Sequence, residues 1–165
     1  MFRYLQQQPG ITSGADGLGG LHIRGGNVDQ NLIMLDGVPI FNPSHALGLY
    51  SIFNSSIVNS ATLYRSGFSS RYGGHLSSVL DVRSKEGNVK KFAASFDLST
   101  IATKALVELP LGKENGGFLL AMRRTHLDPL ILKFSSDVKF RNGNYGNANF
   151  NFYDINAKIN FKISF

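Results

Sequence analysis

Two patterns of apolar residues divide the chain near residue 89. Before it, apolar residues come in short runs broken by glycine, proline and asparagine. Leu32, Ile33, Met34 and Leu35 are consecutive, which suits a strand covered on both faces or a buried helical segment. Asp36-Gly37 then marks a tight turn, since both residues tolerate φ > 0, and residues 38–41 return as the partner strand. Residues 21–23 form another strand-like run, ended by Arg24 and Gly25-Gly26. Residues 60–65 and 78–84 read as strands, the latter with Leu80 and Val82 on one face and Asp81 and Arg83 on the other. Residues 1–10 read as the tail of a helix stopped by Pro9-Gly10, one that starts upstream of Met1. Residues 12–20 are a glycine loop, 42–45 a turn, and 49–58 hold a short helical turn. The expectation is a small α+β unit over residues 1–88: a mixed sheet with short helices.

From residue 89 the strands are longer and the alternation cleaner. Residues 92–98, 101–111 and 118–125 are candidate strands. In 153–165 the odd positions are Tyr, Ile, Ala, Ile, Phe, Ile and Phe, and the even ones Asp, Asn, Lys, Asn, Lys and Ser. One apolar and one polar face over ~10 residues is the mark of a transmembrane barrel strand. A soluble sandwich alternates over ~5–6 residues. A short polar turn at 112–117 and a long Asn/Gly/Ser-rich loop at 127–150 fit the two sides of such a barrel. The connection at 99–101 is tight for an outer loop. Residues 89–165 therefore read as about four antiparallel strands.

Charge sharpens the division. Residues 1–88 carry 6 Lys and Arg against 5 Asp and Glu, and residues 89–165 carry 11 against 6. A basic half fits an anionic membrane surface or nucleic acid, but its lysines alternate with apolar residues in strands, as a polar barrel interior explains. There is no cysteine, hence no disulfide and no thiolate metal site. No apolar run approaches the ~20 residues of a spanning helix. Residues 1–8 lack the apolar core of a signal peptide, so an exported protein would carry its leader upstream. His22, His45, His75 and His126 have neither metal-ligand spacing nor carboxylate company, and no Ser–His pair is indicated. No catalytic residue, metal or cofactor is expected. The spacing of Gly14, Gly17, Gly19 and Gly20 does not make a dinucleotide fingerprint. Asn54-Ser55-Ser56 is a sequon of the kind common by chance, and a single RGG at 24–26 is no RNA-binding tract.

Four motifs in order, IRGG (23–26), LDGVP (35–39), LYRSGFSSRYGG (63–74) and SSVLDVRSKEG (77–87), resemble the plug of TonB-dependent outer-membrane receptors. MRRTHLD (122–128) and FYDINAKINF (152–161) are similar to early barrel strands of that family. The resemblance implies an α+β plug domain over 1–88, followed over 89–165 by the first antiparallel strands of a transmembrane β-barrel. It implies an outer-membrane receptor that binds a scarce nutrient (an iron–siderophore, a cobalamin or a glycan) and imports it with energy from TonB, without covalent chemistry.

The same resemblance assigns roles. Asn42, Ser44, His45, Arg71, Tyr72 and His75 fall in loops at 39–48 and 68–75, the plug apices that face the ligand. Arg24, Arg71 and Arg83 are candidates to latch the plug to carboxylates on the barrel wall. Implied partners are TonB, outer-membrane lipid and the nutrient, with a surface lipoprotein left open and no nucleic acid. The sequence departs from the family in having no TonB box, lacking the first plug strands and holding only about four barrel strands, where plugged transporters have about 22. It is expected to be a fragment, since an open sheet edge in lipid leaves N–H and C=O groups unpaired. The competing reading is a soluble β-rich binding module with no transport role.

Overall fold

The protein is seen in a computed structural model that describes residues 2–13, 20–45, 50–112, 115–126 and 151–162. The glycine loop at 14–19, residues 46–49 of the first apical loop, the long loop at 127–150 and the strand end at 163–165 lie outside the described residues. The chain forms two compact units, Met1–Lys85 and Glu86–Phe165.

The first unit opens with a single helical turn, α1 (Phe2–Leu5), which delivers Leu5 to the core. The chain reverses at Gly10 (φ 79°) and pairs β1 (Ile11–Ser13) antiparallel with β2 (Leu21–Ile23). A 3-10 turn at Val28–Gln30 leads into β3 (Asn31–Leu35). Asp36 and Gly37 have φ of 51° and 86°, the backbone of a tight hairpin turn, and return the chain as β4 (Val38–Pro39). Two short pieces, β5 (Ser44–His45) and β6 (Tyr50–Ser51), pair with each other. Then come β7 (Val58–Tyr64) and β8 (Ser78–Ser84).

The main sheet has the order β4-β3-β8-β7 and is mixed, with β3 parallel to β8 and the other pairs antiparallel. Its two inner strands are covered on both faces. Ile33, Leu80 and Val82 pack with Leu5, Ile11, Leu21, Ile23 and Phe53 on one side. Leu32, Met34 and Val79 pack with Phe68 and Tyr72 on the other. The consecutive run at 32–35 is thus a strand sandwiched between two layers, where burying each such side chain is worth about 1.5–3 kcal/mol.

One expectation needs correction. The unit is made of strands, and among the described residues its helical content is the one turn of α1 and the 3-10 turn; residues 50–58 hold no helix. There Ser51 Oγ accepts the Phe53 N–H (3.1 Å) and Asn54 Oδ1 accepts the Ser56 N–H (3.1 Å). Short polar side chains take donors that a helix would use, while Phe53 and Ile57 are buried. β8 keeps the two faces read from its sequence, with Asp81 7% exposed and Ser78 fully buried, while the Arg83 side chain stays 44% exposed.

Buried Asn31 ties these parts together. Its Nδ2 donates to the carbonyls of Leu21 (2.7 Å) and Val28 (3.2 Å), and Ser78 Oγ donates to its Oδ1 (2.7 Å). One side chain therefore joins β2, the 3-10 turn and the first parallel pair, Asn31 opposite Ser78. Asp36 does the same at the other end, accepting from Ser84 N (2.9 Å) and Ser84 Oγ (2.5 Å).

The second unit is an up-and-down sheet of β9 (Ala93–Leu98), β10 (Ala102–Leu111), β11 (Gly116–Thr125) and β12 (Tyr153–Phe161), every neighbouring pair antiparallel. The tight connection at 99–101 closes because Ser99 Oγ donates to the Ala102 carbonyl (2.8 Å) while accepting its N–H (3.1 Å). At the start of β11 a side chain on Gly116 would meet the Asn160 carbonyl oxygen at 2.6 Å, so only glycine allows β12 to approach there.

Replacing Asn31 with Ala leaves the Leu21 carbonyl and the Ser78 hydroxyl without partners. The expected loss is about 2–4 kcal/mol, read as a lower urea midpoint for the first unit, with an unchanged dependence on denaturant.

Candidate functional site

Three places in the fold gather chemistry. The first is a cleft of about 410 Å³ lined by Val28, Asp29, Asn31, Leu32, Ile33, Pro39, Ile40, Phe41, Pro43 and His75. It joins the two loops singled out in the sequence through His75, whose buried Nδ1 has no hydrogen-bond partner among the described residues. The other apical residues do not line it. Asn42 is exposed, and Ser44 and His45 are half-buried in the β5–β6 ladder, opposite Ser51 and Tyr50. Arg71 lies over the ring of Tyr72 (4.9 Å), and Tyr72 packs on Tyr64 (5.7 Å) and against Leu32, Met34 and Val79. Tyr72 thus supports the sheet and carries Arg71 on its outer face. Phe41 (97% exposed) and Leu76 (84%) bracket the loops with uncovered apolar surface.

The second place holds two arginines. Arg24 has φ 53° and is followed by Gly25 at 76°, a backbone that turns the guanidinium outward at the end of β2. It shares a cavity of about 510 Å³ with Arg65, Ser66, Gly26, Gln30 and Ser77. Arg65 is steadied by donation to the Pro9 carbonyl (2.8 Å), and the Arg24 N–H donates to the Gly10 carbonyl (2.9 Å). Two cations facing one polar hollow make an anion-binding geometry. Gly26 is part of it: a Cβ there would lie 2.5 Å from Ser77 Oγ, which donates to the Ile23 carbonyl (2.7 Å). Sequence reasoning missed Arg65; the signal was Arg65-Ser66-Gly67, an arginine at a strand end before glycine, as in Arg24-Gly25-Gly26. Arg83 is elsewhere. Its Nη2 and Nε bond Asp81 Oδ2 (2.9 and 3.2 Å), and this hydrogen-bonded pairing raises its pKa above the ordinary arginine value, keeping it charged.

The third place is the sheet of the second unit. Its register sorts side chains by face. Leu98, Thr103, Arg124 and Tyr153 stand in one row, followed on the same face by Phe96, Ala105, Met122 and Ile155, then Ala94, Val107, Leu120 and Ala157. Leu109, Phe118 and Ile159, then Leu111, Gly116 and Phe161, complete it. The intervening rows form the opposite face and include Asp97, Lys104, Arg123 and Asp154. The apolar face is the open one: Phe96 is 70% exposed, Ile155 61% and Phe161 64%. Leu119, Ala121, Thr125 and Arg123 on the mixed face are buried. There Arg123 pairs with Asp154 across β11 and β12, both ends bonding Oδ2, Nε at 2.8 Å, and the guanidinium lies over the Phe152 ring at 5.6 Å. This distribution is the reverse of a soluble sheet.

Residues 2–78 match the family model of the TonB-dependent Receptor Plug Domain. The match covers nearly all of the first unit and supports reading the chain as part of a TonB-dependent receptor, a family of outer-membrane receptors and transporters rather than enzymes. No curated protein and no solved structure matches the chain.

Because Arg123 and Asp154 are a buried pair, removing one partner strands the other. Asp154→Asn and Arg123→Met are each expected to cost about 3–5 kcal/mol, while the double change Arg123→Met/Asp154→Leu costs less than either alone. Urea unfolding of the three variants in detergent reads the difference.

Proposed function

We propose that this chain supplies the plug and the opening barrel strands of an outer-membrane receptor that captures a scarce nutrient, of the siderophore, cobalamin or glycan class, and imports it with energy from TonB. The observation that carries this reading is the plug-family match over residues 2–78, followed by a sheet whose open face is apolar and whose buried face is mixed. From Gly116 to Arg124 that open face extends about 27 Å at ~3.4 Å per residue, comparable to the ~25 Å apolar band of a barrel wall. The domain division follows: residues 1–88 as plug, residues 89–165 as the first staves.

On this reading the loops at 39–48 and 68–75 face the ligand. Asn42, Ser44, His45 and Arg71 offer polar contacts from their surfaces, and His75 offers one from inside the cleft. Tyr72 contributes by holding Arg71. The latch between plug and wall is centred on Arg24, with Arg65 joining it because both open onto one hollow. Arg83, already bound to Asp81, contributes at most its exposed edge, and Arg71 sits with the ligand loops. On this reading TonB acts from the periplasm, and its pull loads the latch. The soluble-module alternative places Phe96, Ile155 and Phe161 in water, with nothing gained.

The absence of cysteine makes the wall testable by single cysteines along β12. In lipid vesicles, probes at 155, 157 and 159 are expected to be quenched by brominated acyl chains. Probes at 156, 158 and 160, clear of the buried Arg123–Asp154 pair, are expected to react with a charged aqueous maleimide. Equal aqueous labelling at all six positions would reject the barrel reading. For the latch, Arg24→Ala and Arg65→Ala together are expected to loosen the plug from its wall by about 3 kcal/mol, seen as protease cutting of the plug at lower urea, whereas Lys91→Ala, which removes an exposed charge away from the hollow, leaves the midpoint nearly unchanged.

A further inference from the structure

The apolar face of the second sheet carries one formal charge among its described residues, Arg124 at its rim. Arg124 is exposed, and among the described residues no carboxylate pairs with it. The neighbouring acids in the register, Asp97 and Asp154, stand on the opposite face, and Asp154 is held by Arg123. Arg124 lies in a shallow cleft of about 380 Å³ with Thr103, Met122, His126, Tyr153 and Ile155, and the Arg123–Asp154 pair, whose charges offset each other, also borders it. Within it Thr103 Oγ1 and His126 Nε2 are 2.6 Å apart, a fixed polar pair beside the guanidinium. On one side the cleft runs into the apolar rows of Met122 and Ile155; on the other it ends at Tyr153, a residue suited to a membrane interface.

We propose that this cleft binds the phosphate of an anionic lipid, with the acyl chains lying along Met122, Ile155 and Phe96. The inference rests on the reading of the open face as a lipid-facing wall and adds to it a headgroup preference. Charge complementarity selects the occupant. A lone guanidinium at the edge of an apolar field gains most from an anion already attached to hydrocarbon, because one molecule then satisfies both surfaces. The planar fork presents two parallel N–H donors to phosphate oxygens, and the Thr103–His126 pair supplies a further hydrogen-bonding group. An acidic protein segment would meet the charge but leave the apolar rows uncovered. Nucleic acid would need a run of cations that this face lacks.

The test is flotation of the full chain, refolded with vesicles of phosphatidylcholine alone or of phosphatidylcholine mixed with phosphatidic acid. The chain is expected to float with both and to favour the anionic vesicles, with Arg124 contributing about fivefold of that preference, the usual worth of one cation near an anionic membrane surface. Arg124→Gln should lower the preference about fivefold while still floating. Arg124→Lys should lower it less, and Lys158→Gln, which removes the same charge from the mixed face, should leave it nearly unchanged. Equal binding of the unaltered chain to both vesicles, or a preference that Arg124→Gln leaves unchanged, would overturn the headgroup site and leave the wall reading standing. Failure to float with either vesicle would overturn the wall reading and the site with it.

Discussion

The parallel pairing of β3 with β8 is the contact on which the first unit depends. Two strands far apart in the chain lie side by side with both faces covered, so Leu32, Ile33 and Met34 and Val79, Leu80 and Val82 are removed from water, and Leu35 partly so. Bringing distant segments together costs loop entropy, and what offsets it is concentrated burial plus two side chains that close the ends. Asn31 does so where the strands begin, and Asp36 where β3 turns back. The features used for function hang from this pair. The cleft around His75 lies beside β3, and the hollow of Arg24 and Arg65 opens at the ends of β2 and β7.

The same economy appears in the arginines. Arg24, Arg65, Arg71 and Arg83 carry the same side chain and have four different settings. One is turned outward by left-handed backbone, and one is tethered to a carbonyl. One lies on a tyrosine, and one is paired with an aspartate two residues away. Only the first two share a hollow, and that sharing, rather than charge alone, sets them apart from Arg71 and Arg83.

In the second unit the ordinary rule of burial is inverted. Apolar rows are open and the middle of the mixed face, with its Arg123–Asp154 pair, is buried. A sheet in this state is stable where hydrocarbon, not water, meets its open face, since exposed Phe96, Ile155 and Phe161 would otherwise cost about 25 cal/mol per Å². An open apolar face and a buried ion pair are thus two consequences of one alternation with a period of two.

Local pattern determined much of this protein. The hairpin at Asp36-Gly37, the limits of β8 and the alternation of β12 were all legible, because turn chemistry and side-chain period act over a few residues. The plug resemblance was legible too, as motifs in a fixed order. Tertiary structure decided what no window could show. It set β3 parallel to β8, buried Asp81, replaced an expected helical turn with strand and loop around Phe53, and brought Arg65 rather than Arg83 to Arg24. Each depends on which distant segment arrives to cover a face or share a hollow. The physical reason is range: propensity and period are carried by neighbours in sequence, whereas burial, ion pairing and cavities belong to neighbours in space.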